Sequence, residues 1–109
     1  MLTLSAVGTA MSNLSNMYSV LGRHQDALVM QEETLEFLRR VLPENHPHIG
    51  KASSGIALHY YQAGDFHRAL QFCREALRIF QATLPPSHPQ VSMTQVLVRQ
   101  LEDHFARRL

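Results

Sequence analysis

The chain has 109 residues, 45% of them apolar, and a formal net charge of +1 at pH 7. This is one domain's worth of chain, able to bury roughly two-thirds of its unfolded surface. The near-neutral balance implies no nucleic acid and no membrane surface as partner, and no run of about 18 apolar residues is present to span a bilayer.

In chain order, residues 1–10 are mildly apolar but lack a basic lead, so they read as the start of a helix rather than a signal peptide. Val7, Ala10, Leu14 and Tyr18 give that helix a spacing near 3.6. A second stripe follows at Ala27, Leu28, Thr34, Leu35 and Leu38, and a third over residues 49–63 at Ile49, Ala52, Ile56, Ala57 and Tyr60. The fourth, over residues 66–84, runs Phe66, Ala69, Leu70, Cys73, Ala76, Leu77 and Phe80. The fifth runs Val91, Thr94, Val98, Leu101 and Phe105. No period-2 stripe is present, so no strand is expected. Gly22 and Gly64 punctuate the first and third helices, where a helix end needs positive φ.

The elements recur at a fixed interval. Residues 42–47 and 84–89 both read L-P-x-x-H-P, 42 residues apart. At the same offset Tyr18 matches Tyr60, Gly22 matches Gly64, Ala27 matches Ala69, and Leu28 matches Leu70. Val7, Ile49 and Val91 form a series of three. A period of about 20–50 residues marks a stacked repeat array. The prolines of each motif stop one helix, and Pro47 and Pro89 suit the first turn of the next.

These residues resemble the tetratricopeptide repeat, in the longer form found in kinesin light chains and nephrocystin-3-like proteins. The second copy carries the motif as Ile56-Ala57, Tyr60, Gly64, Phe66, Ala69 and Ala76. The first carries Leu14-Ser15, Tyr18, Gly22, Ala27 and Thr34, with His24 in place of the usual aromatic. The third departs after Pro89, where Arg99 takes a close-packed small position. The resemblance implies an all-α fold: an α-solenoid of two helix hairpins plus a C-terminal capping helix. Repeat 1 is expected at about 5–42, repeat 2 at about 47–84 and the cap at about 89–107. The cap is expected to turn Arg99, Gln100, Asp103 and Arg107 to water.

No constellation points to catalysis, and no P-loop or nucleophile elbow is present. His46, His48 and His88 read as helix-start residues repeated with the motif rather than metal ligands, so neither metal nor cofactor is expected. Glu32, Glu33 and Glu36 read as a solvated face. The Arg39-Arg40 and Arg107-Arg108 pairs read as last-turn complements of the helix dipole. Cys73, the only cysteine, falls on a buried stripe. It excludes an internal disulfide and makes a reducing, cytoplasmic setting natural.

The remaining feature is a groove. In the family the first helix of each pair lines a concave surface that binds extended peptides. By motif register the lining here is Thr9, Ser12, Asn13, Asn16, Ser19 and Val20, then Lys51, Ser54, Leu58, Tyr61 and Gln62. The resemblance marks Asn13 as a gripper of ligand backbone, since an amide both donates and accepts. Gly55 stands at the same register in the second repeat, and only Lys51 is basic. The expected function is a protein–protein interaction scaffold for a partner peptide or helix. The alternative is the structural C-terminal end of a longer array with no ligand of its own. Met1, Leu2, Leu4, Val7, Met11 and Leu14 make self-association through the N-terminal helix a further expectation.

Overall fold

The computed structural model describes residue 17 and residues 20–107. Among these, four α-helices follow one another and there is no strand: α1 (His24–Val41), α2 (Pro47–Gln62), α3 (Phe66–Thr83) and α4 (Pro89–Ala106). Met17 and Val20, ahead of the first turn, are also helical. The rest of the expected first helix, with Asn13, Asn16, Tyr18 and the proposed self-association strip, lies outside the described residues. So does Arg108.

Glycine makes the turns within hairpins. Gly22 and Gly64 have φ of 79° and 81°, a conformation that costs a residue bearing a Cβ. At Gly64 the Asp65 N–H reaches back to the Tyr60 carbonyl at 2.9 Å, and the Asp65 carboxylate then accepts from the Arg68 N–H to cap α3. The equivalent position before α1 is Arg23, whose side chain caps nothing and instead pairs with Asp26 at 2.6 Å.

The junctions between hairpins are near-copies. In the first, the Leu42 N–H closes on the Leu38 carbonyl, and the His46 N–H closes a turn on the Pro43 carbonyl at 3.0 Å. In the second, Leu84 closes on Phe80 and His88 on Pro85 at 2.9 Å. Pro47 and Pro89 then occupy the first helical turn, as expected of a residue with no N–H to satisfy.

Each helix packs on its sequence neighbours, most extensively α2 on α3. One core cluster joins Leu35 and Leu38 of α1, Ile49, Ile56 and Ala57 of α2, Ala69, Cys73 and Ile79 of α3, and Val98 and Leu101 of α4. A second gathers Ala76, Phe80 and Val91 at the α3–α4 junction. Ala57 and Ala69 are fully buried, which fits their reading as close-approach residues. Gly50 serves the same end without the motif announcing it: a Cβ there would stand 2.8 Å from Phe80 Cε1. Thr34, where the repeat usually has alanine, is accommodated because its hydroxyl donates to the Met30 carbonyl at 2.8 Å. The Ser53 hydroxyl, fully buried, has no such partner.

Two charged features gain a role. Glu32 accepts a hydrogen bond from Tyr60 Oη at 2.6 Å, so the acidic face of α1 is tied to α2 at one point. Arg39 sits in the last turn of α1 as expected and also reaches Glu75 of α3 at 2.5 Å.

Candidate binding groove

Helices α2 and α4 flank a groove of about 410 Å³. From α2 come Ser54 and Leu58. From α4 come Gln90, Met93, Thr94, Val96, Leu97 and Gln100. The local reason is helical spacing. Residues 54 and 58 are four apart, as are 93 and 97, and 96 and 100, so each set shares one helix face. That face is offset from the core stripe at Val91, Thr94, Val98 and Leu101, all buried except for their edges. Leu58, Met93 and Val96 are 48%, 68% and 52% exposed, which is unusual for three large aliphatic side chains sharing one concavity. No lining residue is charged. The polar members are amides and hydroxyls, which hydrogen-bond without carrying charge.

Other depressions differ in chemistry. Between α1 and α3 a hollow of about 480 Å³ is bordered by Glu32, Glu36, Arg39, Tyr60 and Arg68. Several of its polar side chains have partners: Arg39 holds Glu75 beside the hollow, Tyr60 donates to Glu32, and the Arg68 guanidinium lies 5.6 Å from the centre of the Tyr60 ring. The hydrogen bond to Glu32, with burial second, pushes the Tyr60 phenol above its ordinary range. A third hollow, about 310 Å³, lies between the start of α1 and the end of α2 and is lined by His24, Gln25, Leu28, His59, Gln62 and Ala63.

The residues singled out from sequence therefore separate. Leu58 lies in the uncharged groove with Ser54. Gln62 faces the third hollow with His24 and Leu28. Lys51 is exposed near the start of α2 and borders none of these three. Tyr61 is half exposed, its ring tilted over Phe66 at 5.3 Å between centres. Val20 projects almost fully into solvent.

Sequence reasoning missed the larger wall of the groove, α4. Arg99, Gln100, Asp103 and Arg107 are exposed as expected. The helix nevertheless carries Met93 and Val96 outward on another face. A signal was available, since Met93, Val96 and Leu97 fall at i, i+3, i+4 off the core stripe. Gln31 was missed as well. Its amide fills the space beside Gly55, with Nε2 2.8 Å from where a Cβ would stand, and its Oε1 is buried without a hydrogen-bond partner. The missing side chain at position 55 is thus replaced by an amide from the neighbouring helix.

Histidine at the helix starts has a positive structural role. Nδ1 of His46 accepts from the His48 N–H, and Nδ1 of His88 accepts from the Gln90 N–H, both at 3.1 Å. Cys73 is fully buried, and desolvation pushes its thiol up to about 11. No helix among the described residues is long and apolar enough to cross a membrane.

Residues 6–82 match the family model of the tetratricopeptide repeat, and the chain belongs to that family. Among solved structures, it is similar to a Podosopora anserina kinesin light chain with nearly identical TPR-like repeats. The identity is 20% and the TM-score 0.80, over 98% of this chain and 50% of that one. It is similar also to BtubC (BKLC) from P. vanneervenii, at 21% identity and a TM-score of 0.79, over 92% of this chain and 41% of that one. This chain thus spans about half the length of the structures it resembles, and at such identity the likeness establishes the fold. No curated protein matches the chain.

Proposed function

We propose that this repeat module is a protein-interaction scaffold that holds an apolar segment of a partner in the groove between α2 and α4. The observation that carries the reading is the exposure of Leu58, Met93 and Val96 in one uncharged concavity. Burying aliphatic surface is favourable at about 25 cal/mol per Å², and these side chains forgo it in the free chain. Gln90 and Gln100 on α4 supply amides able to pair with peptide N–H and C=O groups. The partner segment should present aliphatic or aromatic side chains, because a carboxylate in this groove would lose water and gain no cation. Lys51 offers the nearest cation on α2, outside the lining. The reading involves no chemistry on the partner.

The test is a peptide array probed with the purified chain. Retention of apolar peptides over acidic ones, lost in a Leu58→Asp/Met93→Asp variant that keeps its helical spectrum, supports the groove. Retention undiminished in that variant, or selective for acidic peptides, contradicts it.

A further inference from the structure

The two L-P-x-x-H-P junctions place a histidine at a position that normally belongs to Ser, Thr, Asp or Asn. Proline at the following residue biases each histidine to extended backbone, and His46 (φ −65°, ψ 137°) and His88 (φ −67°, ψ 134°) adopt it almost identically. Proline also lacks an N–H, so the first free donor of each helix is the next amide, at His48 or Gln90. The imidazole Nδ1 accepts from that amide at both junctions. An N-cap oxygen of serine keeps its lone pairs at mildly acidic pH. An imidazole nitrogen does not: a proton on Nδ1 removes the acceptor and turns the ring into a cation at the positive end of the helix dipole. Both consequences act against the cap.

No ion pair among the described residues involves either ring. On α2, the His48 ring stacks on His46 at 4.8 Å between centres and Lys51 lies one turn further on. Glu44 lies two residues before His46. From α3, Arg78 reaches the loop by donating to the Asn45 side chain at 2.9 Å. The ion pairs among the described residues leave both cap rings without a carboxylate partner. Around His88, residues 83–98 contain no Asp, Glu, Lys or Arg.

We infer that His46 and His88 form a matched pair of proton-sensitive caps. Their protonation releases the first turns of α2 and α4 and loosens both repeat junctions. These two helices are the walls of the groove, and Gln90, whose amide is capped by His88, lines it. Folding is then linked to an unprotonated Nδ1 at two sites, so acidification that protonates these rings costs stability and raising the pH restores it.

The experiment is thermal unfolding of the full chain between about pH 8 and about pH 5, alongside a His46→Asn/His88→Asn variant and a His48→Gln control. Asparagine caps equally well and does not titrate. The unsubstituted chain should lose several degrees in Tm on acidification. The double variant should match it at high pH and lose less than half as much on acidification. The His48→Gln chain should lose only the part of the effect that burial of the His48 ring contributes by holding that imidazole below its ordinary range, and should keep the part carried by the two caps. An equal loss in the double variant, or a loss abolished by His48→Gln, overturns the inference. If the double variant fails to fold, amide exchange in the unsubstituted chain decides. The His48 and Gln90 amides should lose protection as the His46 and His88 rings take up protons, and protection that persists through ring protonation overturns it.

Discussion

Two glycines of one helix show how neighbours decide the effect of a single methyl. Gly50 and Gly55 both lie within α2, where glycine is a poorer helix former than alanine. At Gly50 the added Cβ would meet Phe80 Cε1 at 2.8 Å and Ile79 Cγ2 at 3.1 Å, both on fully buried side chains with nowhere to go. At Gly55 it would meet only the far end of Gln31, which can swing aside. Gly50→Ala should therefore cost about 1–3 kcal/mol by overpacking. Gly55→Ala should be neutral or stabilise by up to about 1 kcal/mol through backbone entropy. Urea unfolding of both variants checks the opposite signs. Cys73 makes a second residue-scale case. Its thiol moves from an ordinary 9.0 up to about 11 because burial disfavours the thiolate. It should stay unreactive to a disulfide reagent at neutral pH until the chain unfolds. Below 9.0 both states keep the proton; above it the unfolded chain ionises first, so stability falls as pH rises from 9.0 towards about 11. Native-state labelling as fast as in denaturant would contradict the burial.

At the scale of the element, α2 and α3 form the hairpin that carries most of the packing, and Ala69 sits in it fully buried. Ala69→Leu should cost about 1–3 kcal/mol, seen as a lowered Tm; an unchanged Tm would mean the helices do not meet at that residue. This much was legible in the sequence because a helix hairpin repeats its rules. A 3.6-residue stripe, a glycine at positive φ and a proline in the first turn each leave a residue in a fixed register. What was not legible depends on side chains crossing between registers. The Glu32–Tyr60 bond joins residues 28 apart, Arg39–Glu75 joins residues 36 apart, and the Gln31 amide fills the space left by Gly55. None of these follows the 42-residue period. The histidine caps lay in between. Their position was evident from the motif, but the use of Nδ1 as acceptor depends on ring orientation.

For the whole molecule, alternate helices divide the surface by chemistry. The hollow between α1 and α3 is lined by charged side chains, of which Arg39 pairs with Glu75 beside it, whereas the groove between α2 and α4 is neutral and leaves aliphatic side chains in water. The expected lining named Leu58 together with Lys51, Ser54, Tyr61 and Gln62 on the same helix and further residues on the preceding repeat, because the motif assigns ligand contacts by register. Met93 and Val96, the exposed aliphatic side chains that share a hollow with Leu58, lie on α4, where the repeat pattern breaks down and register no longer guides the reading. The central claim is that this neutral groove is where a partner binds. Its most direct test is a heteronuclear NMR titration of the labelled chain with an apolar peptide selected on the array. The account predicts shifts clustered at Ser54, Leu58, Met93, Val96 and Leu97, with Glu32, Arg68 and Gln62 unmoved. Shifts centred on His24, Leu28 and Gln62, or on Glu32 and Arg68, with the α4 residues unchanged, would contradict it.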